Sequence, residues 1–387
     1  MRAIFILFVG LLGLSQPLTA DGETHSSLAE KIEHTITGHM NDLLSSPEVT
    51  GITYAASKDG KIIFASGFGL ADINTKELVT SVTKMRTGSV SKVYTAALIG
   101  KLLAAGKLDL DQAIQTYIPN FPEKKWAFTV RQLSAHMAGV RHYKGNEFSS
   151  TKHYPSVSEG LTMFQNDPLE FEPSTKVSYT SHGWNVIARA LEGAGKKPFL
   201  EQMQQQIFTP LAMHNSGPED VTKTINNLAS FHEVKDGVTQ IAPFVDNSYK
   251  WAGGGFIGTA SDMAIFGNAH LNAGFHDSKT LTLLSTKQTI KDGTPAAFAI
   301  GWMTASNMRT RLGNYKQLHQ ADSFSDRLIW HAGGSMGAVA LLLVEPKTQT
   351  TVAMMANNSS SFPALVMLGL ETLKLAKQHV ASTAHKK

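Results

Sequence analysis

Apolar and polar positions are grouped along the chain so that strands are predicted near both ends and helices in the middle. Helical spacing of apolar residues first predicts a helix over residues 27–44. Two apolar runs within residues 51–69 then flank Asp59-Gly60, and an Asp-Gly pair between such runs is typical of a hairpin turn. The next apolar helix is predicted over residues 91–106, where a glycine marks its end.

The C-terminal part of the chain returns to short apolar runs. Strands are predicted at Phe298–Trp302, Arg327–Trp330, Ala338–Val344 and Thr350–Met355. A final helix is predicted over residues 363–376. Between residues 115 and 290, helical patches alternate with polar loops that contain Gly and Pro, without a run of alternating strands. One sheet built from both chain ends, around an inserted helical region, is the arrangement that this order favours.

We therefore predict an α/β (α+β) fold in which an antiparallel sheet is flanked by helices. Its sheet domain comprises residues 21–115 and 295–387, and a mainly helical domain comprises residues 116–294. Residues 1–20 have the order of a secretory signal peptide, with one basic residue, a short apolar run and a small residue before a polar stretch. That run is shorter than the roughly 20 residues of a spanning helix, so a membrane anchor is the less favoured alternative. We expect an exported protein, periplasmic or secreted, with no membrane span after cleavage.

Composition and charge narrow the functional classes. Apolar residues make up 42% of the chain and charged residues 17%, which is typical of a packed globular protein. The net charge of +4 comes from 35 basic and 31 acidic residues spread along the sequence, so no basic block predicts nucleic-acid binding. The chain contains no Cys, so an exported protein of this composition must be stabilised by its core alone.

Ser-x-x-Lys is the first motif that carries chemistry, and it begins at Ser81, Ser89 and Ser149. On a helix this spacing places a hydroxyl and an amine one turn apart on the same face. A serine beside an amine that burial keeps neutral is an activated nucleophile. Only Ser89 follows a glycine and opens a long apolar helix, whereas the other two copies lie in polar stretches where a solvated pair is expected.

Two further motifs carry proton-transfer groups. Tyr179 and Ser181 belong to the sequence Tyr-Thr-Ser-His-Gly-Trp-Asn, which opens an apolar helix. His331 begins His-Ala-Gly-Gly, directly before an apolar strand. A phenol and an imidazole transfer protons, and paired glycines let a backbone N–H approach a substrate oxygen closely.

In this order the three motifs resemble those of the serine β-lactamase and penicillin-binding protein family, in the branch of class C β-lactamases, D,D-carboxypeptidases, D-aminopeptidases and esterases. Further stretches that resemble this branch are Leu133–Val140, Trp251–Phe256 and Phe298–Trp302. The resemblance implies a β-lactamase/transpeptidase-like fold and an acyl-enzyme mechanism. It implies that Ser89 is acylated while Lys92 and Tyr179 transfer its proton. The backbone N–H groups of Ser89 and Gly334 would form the oxyanion hole.

Burial disfavours an ammonium and a nearby cation favours a phenolate, so Lys92 and Tyr179 are expected to share one proton near neutral pH. The resemblance also implies that substrate is bound by Ser181, His331 and Gly333. Trp251 adjoins a glycine run, and we expect it to face the same cleft.

Two departures from the family pattern bear on the substrate. Ser181 stands where Asn is usual, so the amide that commonly contacts the acyl side chain of the substrate is missing. Ala332 stands where a hydroxyl beside a lysine commonly helps to bind the substrate carboxylate. His331 replaces that lysine and carries a charge only when protonated, so lower pH should strengthen carboxylate binding. We expect esters, amides or D-amino-acid peptides to be better substrates than β-lactams.

Alternative functions are a true β-lactamase or D,D-carboxypeptidase and, from another class, a catalytically inactive binding or assembly protein with the same fold. The 15 histidines include no His-Glu-x-x-His motif, and His136 and His142 lie six residues apart in a loop-like stretch. We therefore predict no metal and no cofactor, and a structural role for His136. The predicted partner is a small-molecule or peptide substrate, and the sequence leaves the oligomeric state open.

Overall fold

The computed structural model describes residues 20–313 and 321–384, which comprise a mixed set of helices and strands. The helices, labelled in chain order, are α1 (Ala20–Leu43), α2 (Ser91–Ala104), α3 (Val130–Ser134), α4 (Val157–Leu161), α5 (His182–Gly195), α6 (Phe199–Met203), α7 (Trp251–Gly254), α8 (Ala260–Asn268), α9 (Ser278–Ser285), α10 (Ala305–Leu312) and α11 (Phe362–Ala384). The strands are β1 (Gly51–Lys58), β2 (Lys61–Gly69), β3 (Met85–Arg86), β4 (Gly217–Pro218), β5 (His232–Lys235), β6 (Val238–Ile241), β7 (Phe256–Gly258), β8 (Met303–Thr304), β9 (Ile329–Ser335), β10 (Ala338–Glu345) and β11 (Thr350–Ala356).

The main sheet has six strands in the order β2-β1-β11-β10-β9-β8, and its neighbouring strands are antiparallel. Its strands come from both ends of the chain, and β1 pairs with β11 in a register that places Ile52 opposite Ala356. Every residue of β1, β10 and β11 is buried, which explains why these strands appear in the sequence as nearly continuous apolar runs. The predicted antiparallel sheet flanked by helices is confirmed.

The two faces of the sheet are covered by different helices. Side chains of successive residues in a strand point to opposite faces. Leu341 and Leu343 of β10 accordingly pack in one core cluster with α1 and α11. Leu342 and Val344 pack in the other cluster, with α2, α5 and α8. Residues of α2 are buried on all sides, because this helix lies between the sheet and the central helical region.

Two features of the fold differ from the sequence prediction. The run Phe298–Trp302 is a loop that leads into β8, because Gly301 has a φ of +78° and packs where a Cβ would contact Ala96 and Trp184. The middle of the chain contains a short hairpin of β5 and β6 that turns at Asp236-Gly237. The boundaries of a separate helical domain stay a prediction.

The predicted signal peptide comprises residues 1–20, and residues 1–19 lie outside the described part of the chain. In the described ranges, no helix has both the length and the hydropathy of a membrane span.

Candidate active site

Ser89 lies in the 3-10 turn that leads into α2, and this turn packs directly against β9. Gly88 in the turn has a φ of +50°, a conformation that favours glycine, and a Cβ there would lie 2.7 Å from the backbone nitrogen of Gly334. A Cβ on Gly333 would lie 2.0 Å from the carbonyl oxygen of Thr87. The motif glycines therefore allow two backbone segments to meet, which brings the N–H of Gly334 next to the Ser89 turn.

This contact predicts that Gly333→Ala is destabilising. The added methyl group would meet backbone, which cannot rotate away like a side chain, and overpacking of this kind costs about 1 to 3 kcal/mol. The matched control is Gly334→Ala, because no atom lies within 4 Å of a Cβ built there. Urea unfolding should give a lower free energy of unfolding for the first variant alone. Equal free energies for the two variants would contradict the packing described here.

Lys92 is fully buried on α2, one turn after Ser89. Its Nζ lies 3.0 Å from Ser89 Oγ, 3.0 Å from Ser181 Oγ and 2.5 Å from the carbonyl oxygen of Gly253. Burial lowers the pKa of Lys92 well below its ordinary value, because it removes the water that would solvate the ammonium. A neutral amine in this position can donate to Ser181 and Gly253 and accept the proton of Ser89.

Tyr179 approaches Ser89 from the other side. Its hydroxyl donates a hydrogen bond to Ser89 Oγ at 2.9 Å. Burial raises the pKa of Tyr179 to about 12, so the side chain is a phenol at neutral pH. Both shifts favour the uncharged forms, in which the one proton that this pair is expected to share resides on the phenol. The arrangement provides a base and an acid on one hydroxyl.

Two imidazoles hold the backbone next to Tyr179. His136 Nδ1 accepts from the N–H of Thr180 at 3.1 Å, and His142 Nδ1 accepts from the N–H of Ser181 at 3.2 Å. The ring of His136 also packs on the ring of Tyr179, with centroids 4.4 Å apart. Burial lowers the pKa of His142 to about 4 and that of His136 well below its ordinary value, so both remain neutral acceptors. His142, which has no motif to mark it, thus joins His136 in positioning the Tyr179 segment.

Two cavities meet at Ser89, Tyr179 and Gly334, which line both of them. The first, named the Lys250 cavity, has a volume of about 430 Å³ and is further lined by His142, Tyr143, Phe148, Ser181, Lys250, Gly253, Gly254, Ser335, Ala338, Val339 and Ser359. The second, named the Arg311 cavity, has a volume of about 330 Å³ and is further lined by Phe298, Met303, Arg311, Ala332, Gly333 and Phe362. Ser89 is therefore accessible to a substrate that extends in two directions.

The residues predicted to bind substrate lie in different places around Ser89. Ser181 lines the Lys250 cavity and Gly333 lines the Arg311 cavity. Trp251 lines neither, which corrects its predicted position: its indole is 8% exposed and belongs to the core. The short helix α7 turns its glycines toward the cavity, and the residue that reaches the cavity is the preceding one, Lys250.

His331 also lies outside both cavity linings and is fully buried in β9. Its Nδ1 lies 2.6 Å from the carbonyl oxygen of Ala332. Burial is the largest cause that lowers the pKa of His331 to about 3. The expectation that His331 gains a positive charge near pH 6 is therefore wrong. Arg311, an exposed residue of α10, is the cation that lines this side of the site.

Side chains that bind metals do not form a cluster here: the described residues contain no group of three or more His, Cys, Asp or Glu placed to hold an ion.

In this fold the Ser-x-x-Lys helix packs against the sheet, and the hydroxyl of Tyr179 is hydrogen-bonded to Ser89. These features together define a class of protein. The β-lactamase family model matches residues 32–374, and the chain belongs to this family of serine hydrolases. A similar curated protein is the human mitochondrial serine β-lactamase-like protein LACTB, which is 28% identical over 389 aligned residues, covering 78% of this chain and 70% of LACTB.

Solved structures show the same fold. EstCE1, a hydrolase with promiscuous acyltransferase activity, superimposes with a TM-score of 0.74 at 16% identity, covering 90% of this chain and 100% of EstCE1. A class C β-lactamase superimposes with a TM-score of 0.71 at 19% identity, covering 89% of this chain and 96% of that chain. The predicted family and the β-lactamase/transpeptidase-like fold are both confirmed.

Proposed function

We propose that this chain is an exported serine hydrolase that transfers the acyl group of esters, amides or D-amino-acid peptides to Ser89 and then to water. One observation carries the proposal: Ser89 Oγ lies 3.0 Å from a buried amine and 2.9 Å from a phenol, where two cavities meet. Acyl transfer requires a base for the nucleophile and an acid for the leaving group. The export part of the proposal rests on the sequence pattern of residues 1–20.

Acylation begins when Ser89 Oγ attacks the carbonyl carbon of the substrate and its proton passes to the neutral amine of Lys92. The electron pair of the carbonyl π bond moves to oxygen, and the backbone N–H groups of Ser89 and Gly334 stabilise that oxyanion. When the tetrahedral intermediate collapses, the bond to the leaving group breaks and Tyr179 donates its proton to the departing atom. The Lys92 ammonium then returns a proton to Tyr179, which leaves the amine neutral again.

Deacylation repeats these transfers with water. A water molecule attacks the acyl carbon and gives its proton to neutral Lys92, with the oxyanion held by the same two N–H groups. The bond from the acyl carbon to Ser89 Oγ then breaks, the carboxylic acid leaves, and Lys92 returns the proton to Ser89. Ser181 and Gly253 accept hydrogen bonds from Lys92 throughout, which keeps the amine beside the serine.

The proposed preference for esters over β-lactams rests on Ala332, which lines the Arg311 cavity without a hydroxyl, and on His331, which is buried outside that cavity and is neutral. A hydrogen bond to a charged group contributes about 1.5 to 3 kcal/mol, or about 10- to 150-fold in affinity. We expect kcat/KM for a short p-nitrophenyl ester to exceed that for nitrocefin by about tenfold or more near pH 7.5.

Two changes test the cause of that preference. Ala332→Thr should narrow the ratio of ester to nitrocefin turnover, because it restores a hydroxyl. Lowering the pH to about 6 should leave the ratio unchanged, because His331, with a pKa of about 3, stays neutral. Faster turnover of nitrocefin than of the ester by the wild type would contradict the preference.

A second candidate function, a β-lactamase or D,D-carboxypeptidase, is favoured by Arg311. Its guanidinium is permanently charged and lines the cavity beside Ala332 and Gly333, where a substrate carboxylate would lie. Because Arg311 is exposed, an ion pair with it is solvated and weak, which is why we rank this candidate second. If Arg311→Met lowers kcat/KM for nitrocefin more than kcat/KM for the ester, the second candidate is favoured.

A further inference from the structure

Lys250 is a buried cation that lines the Lys250 cavity, and no ion pair is found for it among the described residues. The side chain is 2% exposed. Its Nζ donates a long hydrogen bond, 3.4 Å to the carbonyl oxygen of Phe148. The rings of Phe148, Tyr249 and Tyr143 lie with their centroids 4.4, 5.1 and 5.6 Å from Nζ. Ring faces and a carbonyl attract a cation but do not neutralise its charge.

The carboxylate whose charge acts on Lys250 is already engaged elsewhere. Glu219 accepts hydrogen bonds from Arg86 and from the side-chain amide of Asn247. The pKa of Lys250 is lowered to about 7, mainly by burial and also by the charge of Arg86, which the charge of Glu219 partly offsets. The ammonium and the amine are thus both populated near neutral pH, and an anion in the cavity would favour the ammonium.

Ser335 offers a second polar group in the same cavity. It is 5% exposed, and its Oγ is buried without a hydrogen-bond partner in the described part of the chain. A buried hydroxyl without a partner is costly, so an acceptor atom placed in the cavity gains by bonding to it. Ser335 directly follows Gly334, so this hydroxyl is close to the N–H that faces the reacting carbonyl.

We propose that the Lys250 cavity binds a carboxylate on the acyl part of the substrate, with Lys250 as its charged partner and Ser335 as a hydrogen-bond donor. This inference rests on the proposed acyl transfer to Ser89. Ser181, at the position where the family contacts the acyl side chain, lines the same cavity. The aromatic lining suits a chain of methylene groups between that carboxylate and the reacting carbonyl. The substrate class is therefore the half-ester or half-amide of a dicarboxylic acid.

The test compares two p-nitrophenyl esters with acyl chains of equal length, the hexanoate and the mono-adipate, which differ by a methyl group or a carboxylate at the far end. Non-enzymatic hydrolysis is measured separately and subtracted. The wild type should show a higher kcat/KM for the adipate by about tenfold or more near pH 6.5. Lys250→Met should lower the ratio of adipate to hexanoate by about 10- to 150-fold, and Ser335→Ala should lower it by less.

Lys101→Met is the matched control. The ammonium of Lys101 also lies over a phenyl ring, 3.6 Å from the centroid of Phe275, and donates to a backbone carbonyl, but Lys101 lines neither cavity at Ser89. Its substitution should leave the ratio unchanged. If the ratio of adipate to hexanoate turnover falls equally in the Lys101 and Lys250 variants, the effect is a general one of charge and the proposal is overturned.

The pH dependence provides a measurement that needs no variant. Only the ammonium attracts a carboxylate, and kcat/KM reports the free enzyme, so the ratio should fall as the pH rises from about 6 to about 9. Lys92, which also acts on Lys250, is the proposed base for both esters, so its titration affects both rates and cancels in the ratio. Arg86 and Glu219 form an ion pair, the pKa values of His142 and Glu147 are about 4 and about 2, and those of Tyr143 and Tyr249 are raised. A ratio that does not change with pH would overturn the proposal even if Lys250→Met failed to fold.

Two further outcomes are distinguishable from these. If Lys250→Met impairs the hexanoate ester of 3-hydroxybenzoate more than the adipate, the carboxylate site lies on the leaving-group side and the proposal is wrong. If neither p-nitrophenyl ester turns over, acyl transfer to Ser89 is contradicted. The cavity is then tested by binding: monomethyl adipate, but not methyl hexanoate, should raise the unfolding midpoint of the wild type and not that of Lys250→Met, and equal shifts would overturn the proposal.

Discussion

Ser89→Ala is expected to abolish both ester turnover and covalent labelling by a fluorophosphonate probe, because the acyl-enzyme cannot form without Oγ. The variant removes one oxygen from a half-buried position, and the amine and phenol that contact it keep their own surroundings. The folded protein should therefore be recovered, and its circular dichroism should match the wild type. The readouts are the rate of p-nitrophenyl release and the probe signal, with the labelled peptide identified by mass spectrometry.

The other two Ser-x-x-Lys copies provide internal controls. Ser81 lies in a turn before β3, and Ser149 bonds to the carbonyl oxygen of Asn146 in a 3-10 turn, so neither lines a cavity at Ser89. Ser81→Ala and Ser149→Ala should keep turnover and labelling. If Ser89→Ala is labelled stoichiometrically while one of these is not, the nucleophile has been assigned to the wrong motif. A folded wild type without labelling or turnover would favour the inactive binding or assembly protein.

Tyr179→Phe is expected to lower kcat by about 10²- to 10⁴-fold, the range typical of a general acid or base, and to change KM much less. In the proposed mechanism the phenol acts on the leaving group mainly in the transition state, whereas the ring that packs on His136 is kept in phenylalanine. Steady-state kinetics with a p-nitrophenyl ester and with an amide would measure the effect. The fall in kcat should be larger for the amide, because its leaving group needs a proton more strongly.

Tyr117→Phe is the control for this substitution. Its hydroxyl is likewise hydrogen-bonded, to the backbone of Asp109, but Tyr117 lines neither cavity at Ser89. Its kcat should match the wild type. A loss below about threefold in folded Tyr179→Phe would remove this phenol from the mechanism.

The sequence predicts the fold correctly where a whole segment is buried. The strands β10 and β11 are buried along their length, so they form continuous apolar runs that stand out from the loops. The run Phe298–Trp302 has the same composition but is a loop, because Gly301 turns the chain against α2 and α5. Periodicity does not reveal such a contact, which depends on distant residues. The β5 and β6 hairpin gives only a weak signal because each strand has four residues, although Asp236-Gly237 repeats the turn signal at Asp59-Gly60.

In the candidate site, too, residues marked by a local motif were predictable, and residues placed by distant contacts were not. Ser89, Lys92 and Tyr179 were predictable because the order of three motifs marks them, and the structure brings them within hydrogen-bond distance. Lys250 and Arg311 carry no motif, and their place beside Ser89 arises only when distant parts of the chain pack together. The state of His331, Lys92 and Tyr179 was harder still to predict, because burial, which sets each pKa, is a property of the folded protein.

The construction of the sheet from both chain ends has a consequence for synthesis of the protein. On the ribosome the Ser-x-x-Lys helix emerges long before β9, β10 and β11, and β1 cannot pair with β11 until nearly the whole chain has been made. Contacts between such distant segments form late, since closing a long loop is slow. A nascent or C-terminally truncated chain carries Ser89 but lacks Gly334 and the strand that holds it. The proposed hydrolysis is therefore expected to begin only after β9, β10 and β11 have joined the sheet.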